Sequence, residues 1–388
     1  MKTRVRNASV EYLSTYDSEV MRAVKKSGGF FNAHSHLCRA YTLDDRFLRH
    51  IGTTPIEASN LPLAVKQNLV GDLHRGEAYT EQSLRQRMTY ALKAQIAYGT
   101  TRVDTNIDAT PDLPENGLLA LRIALELREE FKGRIDLRVA PTPIFGFKAG
   151  TNRLEVFEAA ADKSHFLSLL PEKDDYIDSA SRDGKIGFKH HIRIGLELSL
   201  KLGKEVQFHL DQANDPDERG TEQLLDVLEA FDQPKMPGGA PAVWIVHMIS
   251  PSAYPEERFA RLVARMQEQN VGVIVCPTAA VSMRQIRSLN APVHNSIARM
   301  LELIKAKVPL RIGSDNICDV FVPQGDGDLL TEIKVGGHAA RMAAPSIWAK
   351  LATGTTLNAV DIATVGRILH EDRKVCLRMD PTWRPAFE

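Results

Sequence analysis

Short runs rich in β-branched and aromatic residues alternate along this chain with longer stretches of helical period. The runs are GFFNAH (29–34), TRVDTNI (101–107), IDLRVAP (135–141), DYIDSA (175–180), EVQFHL (205–210), AVWIVH (242–247), VGVIVC (271–276) and VPLRIGS (308–314). Each has the length and bias of a strand, and 175–180 is the weakest of the eight. Between them, residues 81–99 carry Leu84, Met88, Leu92 and Ile96 at four-residue spacing and stop at Gly99. Residues 117–131, 191–203, 255–269 and 295–307 read as helices in the same way. Strand alternating with helix predicts parallel strands joined by helical crossovers, and eight of them predict an α/β fold of the (β/α)8 TIM-barrel type. An open doubly wound sheet is the structural alternative, but no G-x-G-x-x-G follows the first run.

The ends of the chain read differently. Residues 9–28 have a helical pattern, and residues 358–388 lack the Gly-rich strands that would close a β-sandwich. The expectation is a single domain over 1–388: an N-terminal helical extension (1–28), the barrel (29–350) and a C-terminal helical extension (351–388).

Composition narrows the class. The 388 residues are 43% hydrophobic, and 49 basic side chains balance 49 acidic ones. A nucleic-acid or anionic-membrane partner would require a basic excess, so neither is expected; a small-molecule substrate is, and self-association into a homo-oligomer stays open. The four cysteines, Cys38, Cys276, Cys318 and Cys376, form no Cys-x-x-Cys pair, and no apolar run is long enough for a signal peptide or membrane span. A cytoplasmic protein is expected.

Candidate chemistry lies where such a barrel would use it, at the C-terminal ends of strands. The first run ends at His34 and His36, whose alternate positions share a face. The fifth ends at His209, the sixth at His247, and the eighth at Asp315. Taken singly, each has an ordinary reading as a polar turn or capping residue. Together, imidazoles and a carboxylate at four strand ends point to a metal site.

The stretches YGTTRVDTNID (98–108), IDLRVAPTPIFG (135–146), FHLDQAND (208–215), VIVCPTAAVSM (273–283) and GSDNICDVFVPQGDGDLL (313–330) resemble the amidohydrolase superfamily. Within it they are similar to the branch containing cytosine deaminase and N-isopropylammelide amidohydrolase. That resemblance implies His34, His36, His209 and Asp315 as ligands of one divalent ion, and His247 as the histidine facing substrate or the attacking water. Such a ligand set suits Zn2+ foremost, with Fe2+ or Mn2+ as alternatives. A two-metal site would need a bridging Lys or Glu near the end of the fourth strand; Lys173 precedes the run at 175–180, so one ion is expected.

Departures from the branch bear on the substrate. Gln212 stands where the deaminase has a proton-carrying glutamate, and an amide has no accessible pKa for that task. Ile144 replaces a base-recognising glutamine, Cys38 and Asn316 each replace an aspartate, and Phe145 adds apolar surface near the mouth. Ile144, Phe145, Asn316 and Cys38 are therefore the candidate substrate-binding residues, with Asp315, His247 and Gln212 the candidate catalytic ones. His74 and His338 are secondary pocket candidates, while Arg102 and Asp104 read as inward-facing or as core ion pairs. The expected reaction is metal-assisted hydrolysis of a C–N bond in a small, cyclic nitrogen compound. A true heterocycle aminohydrolase releasing ammonia is the alternative within that chemistry, and a catalytically degenerate metal-binding barrel the alternative outside it.

Overall fold

In the computed structural model, residues 14–176, 183–282 and 297–385 are described. Eight strands run β1 (Phe30–Ser35), β2 (Thr100–Asp108), β3 (Asp136–Thr142), β4 (Leu167–Leu169), β5 (Val206–Leu210), β6 (Val243–His247), β7 (Val271–Val275) and β8 (Leu310–Ile312). All pair in parallel, in a sheet ordered β1-β2-β3 and a sheet ordered β4-β5-β6-β7-β8. Strand order follows chain order throughout, without the reversal that marks a doubly wound sheet. The outer strands of the two sheets also approach one another. The Asp315 amide donates to the His34 carbonyl at 2.9 Å, and the His165 amide donates to the Val139 carbonyl at 2.8 Å.

Seven predicted strands appear where their patterns put them. The fourth does not: β4 is the LSL at 167–169, while Asp175 and Tyr176 lie outside any strand and 177–180 fall outside the described residues. Three residues are too few to show a period, and flanking His165 and Ser164 mask them as a polar loop. His165 is instead tied to β3, its Nδ1 accepting from the Val139 amide at 3.2 Å.

The strands are buried because helices cover them. Val20 and Val24 of the helix Thr15–Lys26 pack in one core with Phe30, Trp348 and the β5, β6 and β7 valines and isoleucines. The helices Glu81–Ala97 and Leu119–Glu130 cover β2 and β3 through Leu84, Met88, Ile123 and Leu127. At the C-terminal end the helix Ala359–Met379 is capped by Asn358 and Asp361 and anchored by Val365. No additional strands flank the sheets among the described residues.

Two backbone details place the site. The β1–β2 register shifts between Asn32 and Ser35, a bulge that turns His34 toward Asn106 on β2 and Gln207 on β5. Gly313, just past β8, lies so close to β1 that a Cβ there would stand 2.6 Å from the His34 Cβ. Only glycine permits that approach.

Candidate metal centre

His34 and His209 are oriented by their Nδ1 atoms. His34 Nδ1 lies 2.9 Å from Gln207 Oε1, and His209 Nδ1 donates to the Leu169 carbonyl at 3.2 Å. The Leu169 carbonyl can only accept, which sets the Nδ1–H tautomer of His209 and leaves its Nε2 lone pair free, while His34 also has the Asn106 Nδ2 donor 3.0 Å from Nδ1 and 3.3 Å from Nε2. These two Nε2 atoms lie 3.1 Å apart. That is close to the separation of two nitrogens each about 2.0–2.1 Å from one ion. His36 completes a group of three whose ligand atoms all fall within 4.8 Å of one another. The Asp315 Oδ1 is 3.2 Å from His36 Nε2 and 3.7 Å from His34 Nε2.

The protonation states agree with a cation site. Burial first, then neighbouring His36, pulls His34 down to about 3, so its ring is neutral at ordinary pH. Burial likewise lowers His36, His209 and His247. Burial alone would raise Asp315, but its hydrogen bond with His36 and the nearby His247 and His34 rings hold it below the usual carboxylate range. Burial thus keeps the three imidazoles neutral beside one ionised carboxylate. The Nδ1 atoms of His36 and His247 are buried without a partner. Buried polar atoms seldom lack one, which marks these two as awaiting something.

His247, at the end of β6, has its ring centroid 5.6 Å from that of His209 and 6.1 Å from that of His34. His247 has φ +80° and Asp315 φ +57°, a left-handed backbone that disfavours non-glycine residues by roughly 1–3 kcal/mol each.

A narrow cavity opens beside these groups, bounded by His36, His209, His247 and Asp315 together with Arg39 and Gln212. Ile144 and Asn316 also line it. Cys38 and Phe145 stand behind the wall: the Cys38 Sγ accepts from the Asp108 amide, and Phe145 packs its ring against His74. His74 itself bonds the Asp108 carboxylate at 3.1 Å, and His338 is exposed on the helix Leu329–Ala339. Arg102 and Asp104 form a core ion pair, joined by Arg138.

Two features were not visible beforehand. The Arg39 guanidinium, three residues past His36, is buried in the cavity wall and clamps Asp108 through Nε and Nη2. The clue was a lone cation in the apolar run after the paired histidines. Glu172 follows β4, and Gln212 Nε2 donates to its Oε2 at 3.0 Å. Burial, then Glu218 and Asp211, raises Glu172 well above a normal glutamate. The misplaced fourth strand hid it: with β4 ending at Leu169, both Glu172 and Lys173 follow the strand rather than precede it. Lys173 Nζ donates to Gln67 Oε1 at 2.6 Å, and neither residue belongs to the three-histidine group.

No family model matches the chain. An uncharacterized protein of Haemophilus influenzae is 26% identical over 294 residues, spanning 76% of this chain and 96% of its own length. A pterin deaminase of Rhizobium rhizogenes is 22% identical over 256 residues, 64% of this chain and 53% of that protein. Among solved structures, a 5-methylcytosine deaminase of Klebsiella pneumoniae liganded with 5-fluorocytosine superposes with a TM-score of 0.69 at 20% identity, covering 84% of this chain and 73% of that one. N-isopropylammelide isopropylaminohydrolase of Burkholderia multivorans gives a TM-score of 0.61 at 18% identity, covering 84% and 74%. The resemblance to the amidohydrolase superfamily carried by the sequence motifs extends to the fold. No helix among the described residues is long and apolar enough to cross a membrane.

Proposed function

We propose that this chain is a mononuclear metal-dependent hydrolase that cleaves a C–N bond of a small nitrogen-containing ring compound, at the mouth of a closed (β/α)8 barrel. The barrel with its two terminal helices is read as one domain, in a reducing cytoplasm that suits four free cysteines. The observation that carries the reading is the meeting of the His34 and His209 Nε2 atoms at 3.1 Å beside the Asp315 carboxylate. His34, His36, His209 and Asp315 would hold the ion, Zn2+ by preference. When bound, such an ion supplies a water whose pKa falls from about 15.7 toward about 7.

The protein's own groups do the rest. Asp315, ionised and buried, accepts a proton at its carboxylate and passes it to the departing nitrogen. His247, neutral, donates a hydrogen bond to the oxygen on the carbon under attack. Ile144 and Asn316 shape the cavity around the ring. Gln212 orients substrate through its amide.

The aminohydrolase reading, with ammonia as product, gains support from one contact. Gln212 cannot carry a proton, but the Glu172 carboxyl directly behind it can, and burial raises it above an ordinary glutamate. Metal analysis of the purified protein, followed by amine and ammonium release from a heterocycle panel, tests both. About one equivalent of transition metal and turnover of at least one compound are expected. A metal-free protein whose melting is indifferent to chelator would leave a degenerate barrel instead.

A further inference from the structure

Two buried cations, Arg39 in the cavity wall and Lys66 on a helix beside it, have no role in the hydrolysis just described. Arg39 lines the cavity, and its plane is fixed: Nε lies 3.0 and 3.2 Å from the Asp108 carboxylate oxygens, and Nη2 donates to Asp108 at 2.6 Å. Asp108 is in turn held by His74 at 3.1 Å and by the Tyr79 hydroxyl at 2.7 Å. The remaining edge, Nη1, has no hydrogen-bond partner among the described residues. A guanidinium locked on one edge and open on the other is a preorganised receptor for an oxyanion.

Lys66 is the second cation. It lies on the helix Leu63–Arg75, whose Leu63 and Gln67 line the same cavity, and three-residue spacing puts it on the face of Leu63. Lys66 is 5% exposed, and among the described residues it makes no ion pair. The nearby carboxylate is already committed. Asp319 accepts from the Phe321 amide at 2.8 Å and the Val322 amide at 3.0 Å through Oδ1, and from the Asn316 amide through Oδ2. Lys66 thus shares the field of a carboxylate already bonded elsewhere, and an incoming anion would complete its pairing.

We propose that the substrate carries an anionic group, received by the open edge of Arg39 and by the Lys66 ammonium. This rests on the reading of the cavity as a hydrolytic site and adds the class of compound it takes. The negative charge would come either from a carboxylate substituent or from a ring N–H acidic enough to ionise. In either case the two cations hold the ring with its C–N bond toward the histidines, and a neutral ring lacks that anchor.

The test is binding to the metal-loaded full chain, followed by melting temperature and competition. Acetate, benzoate and orotate are compared with acetamide, benzamide and uracil; barbiturate supplies the ring-anion arm. The anionic probes should bind about tenfold more tightly than their neutral partners. Stabilisation by barbiturate but not by the carboxylates assigns the charge to the ring. Lys66→Met should abolish the preference while melting no lower than wild type, since a methionine sits in the same apolar setting without an unpaired charge. Lys66→Arg should keep the preference. Equal binding of charged and neutral probes overturns the proposal, as does no binding by any anionic probe. A preference undiminished in Lys66→Met also overturns it, because the anion is then held without that ammonium. An anion-selective protein that releases neither amine nor ammonia would keep the cation pair and remove the hydrolytic reading.

Discussion

The two ends of the strands bury charge in opposite ways. At the N-terminal end, Asp104 lies between Arg138 at 3.0 Å and Arg102 at 3.3 Å, and Arg311 bonds Glu205 at 3.1 Å. The spare faces of those guanidiniums stack too, Arg102 on Phe31 and Arg311 on Trp244, at 3.9 and 3.6 Å. Each of these five charges has an opposite partner. At the C-terminal end, three imidazoles face one another, the Nδ1 atoms of His36, His74 and His247 have no partner, and the Nη1 edge of Arg39 has none among the described residues. The first arrangement is complete in the folded chain; the second becomes complete only when something binds. Saturated ion pairs mark the structural end, and unfilled donors and acceptors mark the chemical one.

Substitutions at the two ends should therefore separate activity from stability. The largest effect is expected from Asp315→Ala. It should lower turnover on the order of 10³-fold and reduce bound metal, as read by plasma mass spectrometry, while the far-ultraviolet spectrum stays unchanged. Loss of fold with retained metal would contradict the assignment. Next comes Arg138→Met, which leaves the buried Asp104 half-paired. It should cost about 3 kcal/mol in urea unfolding with metal per folded molecule unaltered.

The smallest effect sharpens the comparison by pH. Glu332, 1% exposed, accepts from the Thr278 amide at 2.8 Å, and burial raises it to about 8 from an ordinary 4.5. Between those values the folded chain holds a proton that the unfolded chain has released. The stability this group contributes is thus complete below about 4.5 and declines as pH rises toward 8, by at most about 1.4 kcal/mol per pH unit. Glu332→Gln should flatten that slope in melting temperature against pH. A slope equal to wild type would show that the carboxyl is ionised in the fold.

Much of the architecture was legible because parallel strands covered on both faces read as continuous apolar runs, and β6 and β7 are such runs. The terminal His247 of β6 stood out as a polar residue closing an apolar stretch. The three-residue β4 had no pattern to read, and its loss displaced Glu172 and Lys173 to the wrong side of the strand. Asp108 read as the end of a strand motif, with nothing to say that Arg39, 69 residues earlier, would clamp it.

What the sequence determined by itself was the alternation of strand and helix and the identity of residues at strand ends, since both follow from local period and side-chain type. Tertiary structure alone decided the tautomer of His209, the pairing of Gln212 with Glu172, and the clamping of Arg39 by Asp108. Each of these depends on which partners long-range packing brings within about 3 Å and which it shields from water. Neither quantity is encoded in the spacing of residues along one chain.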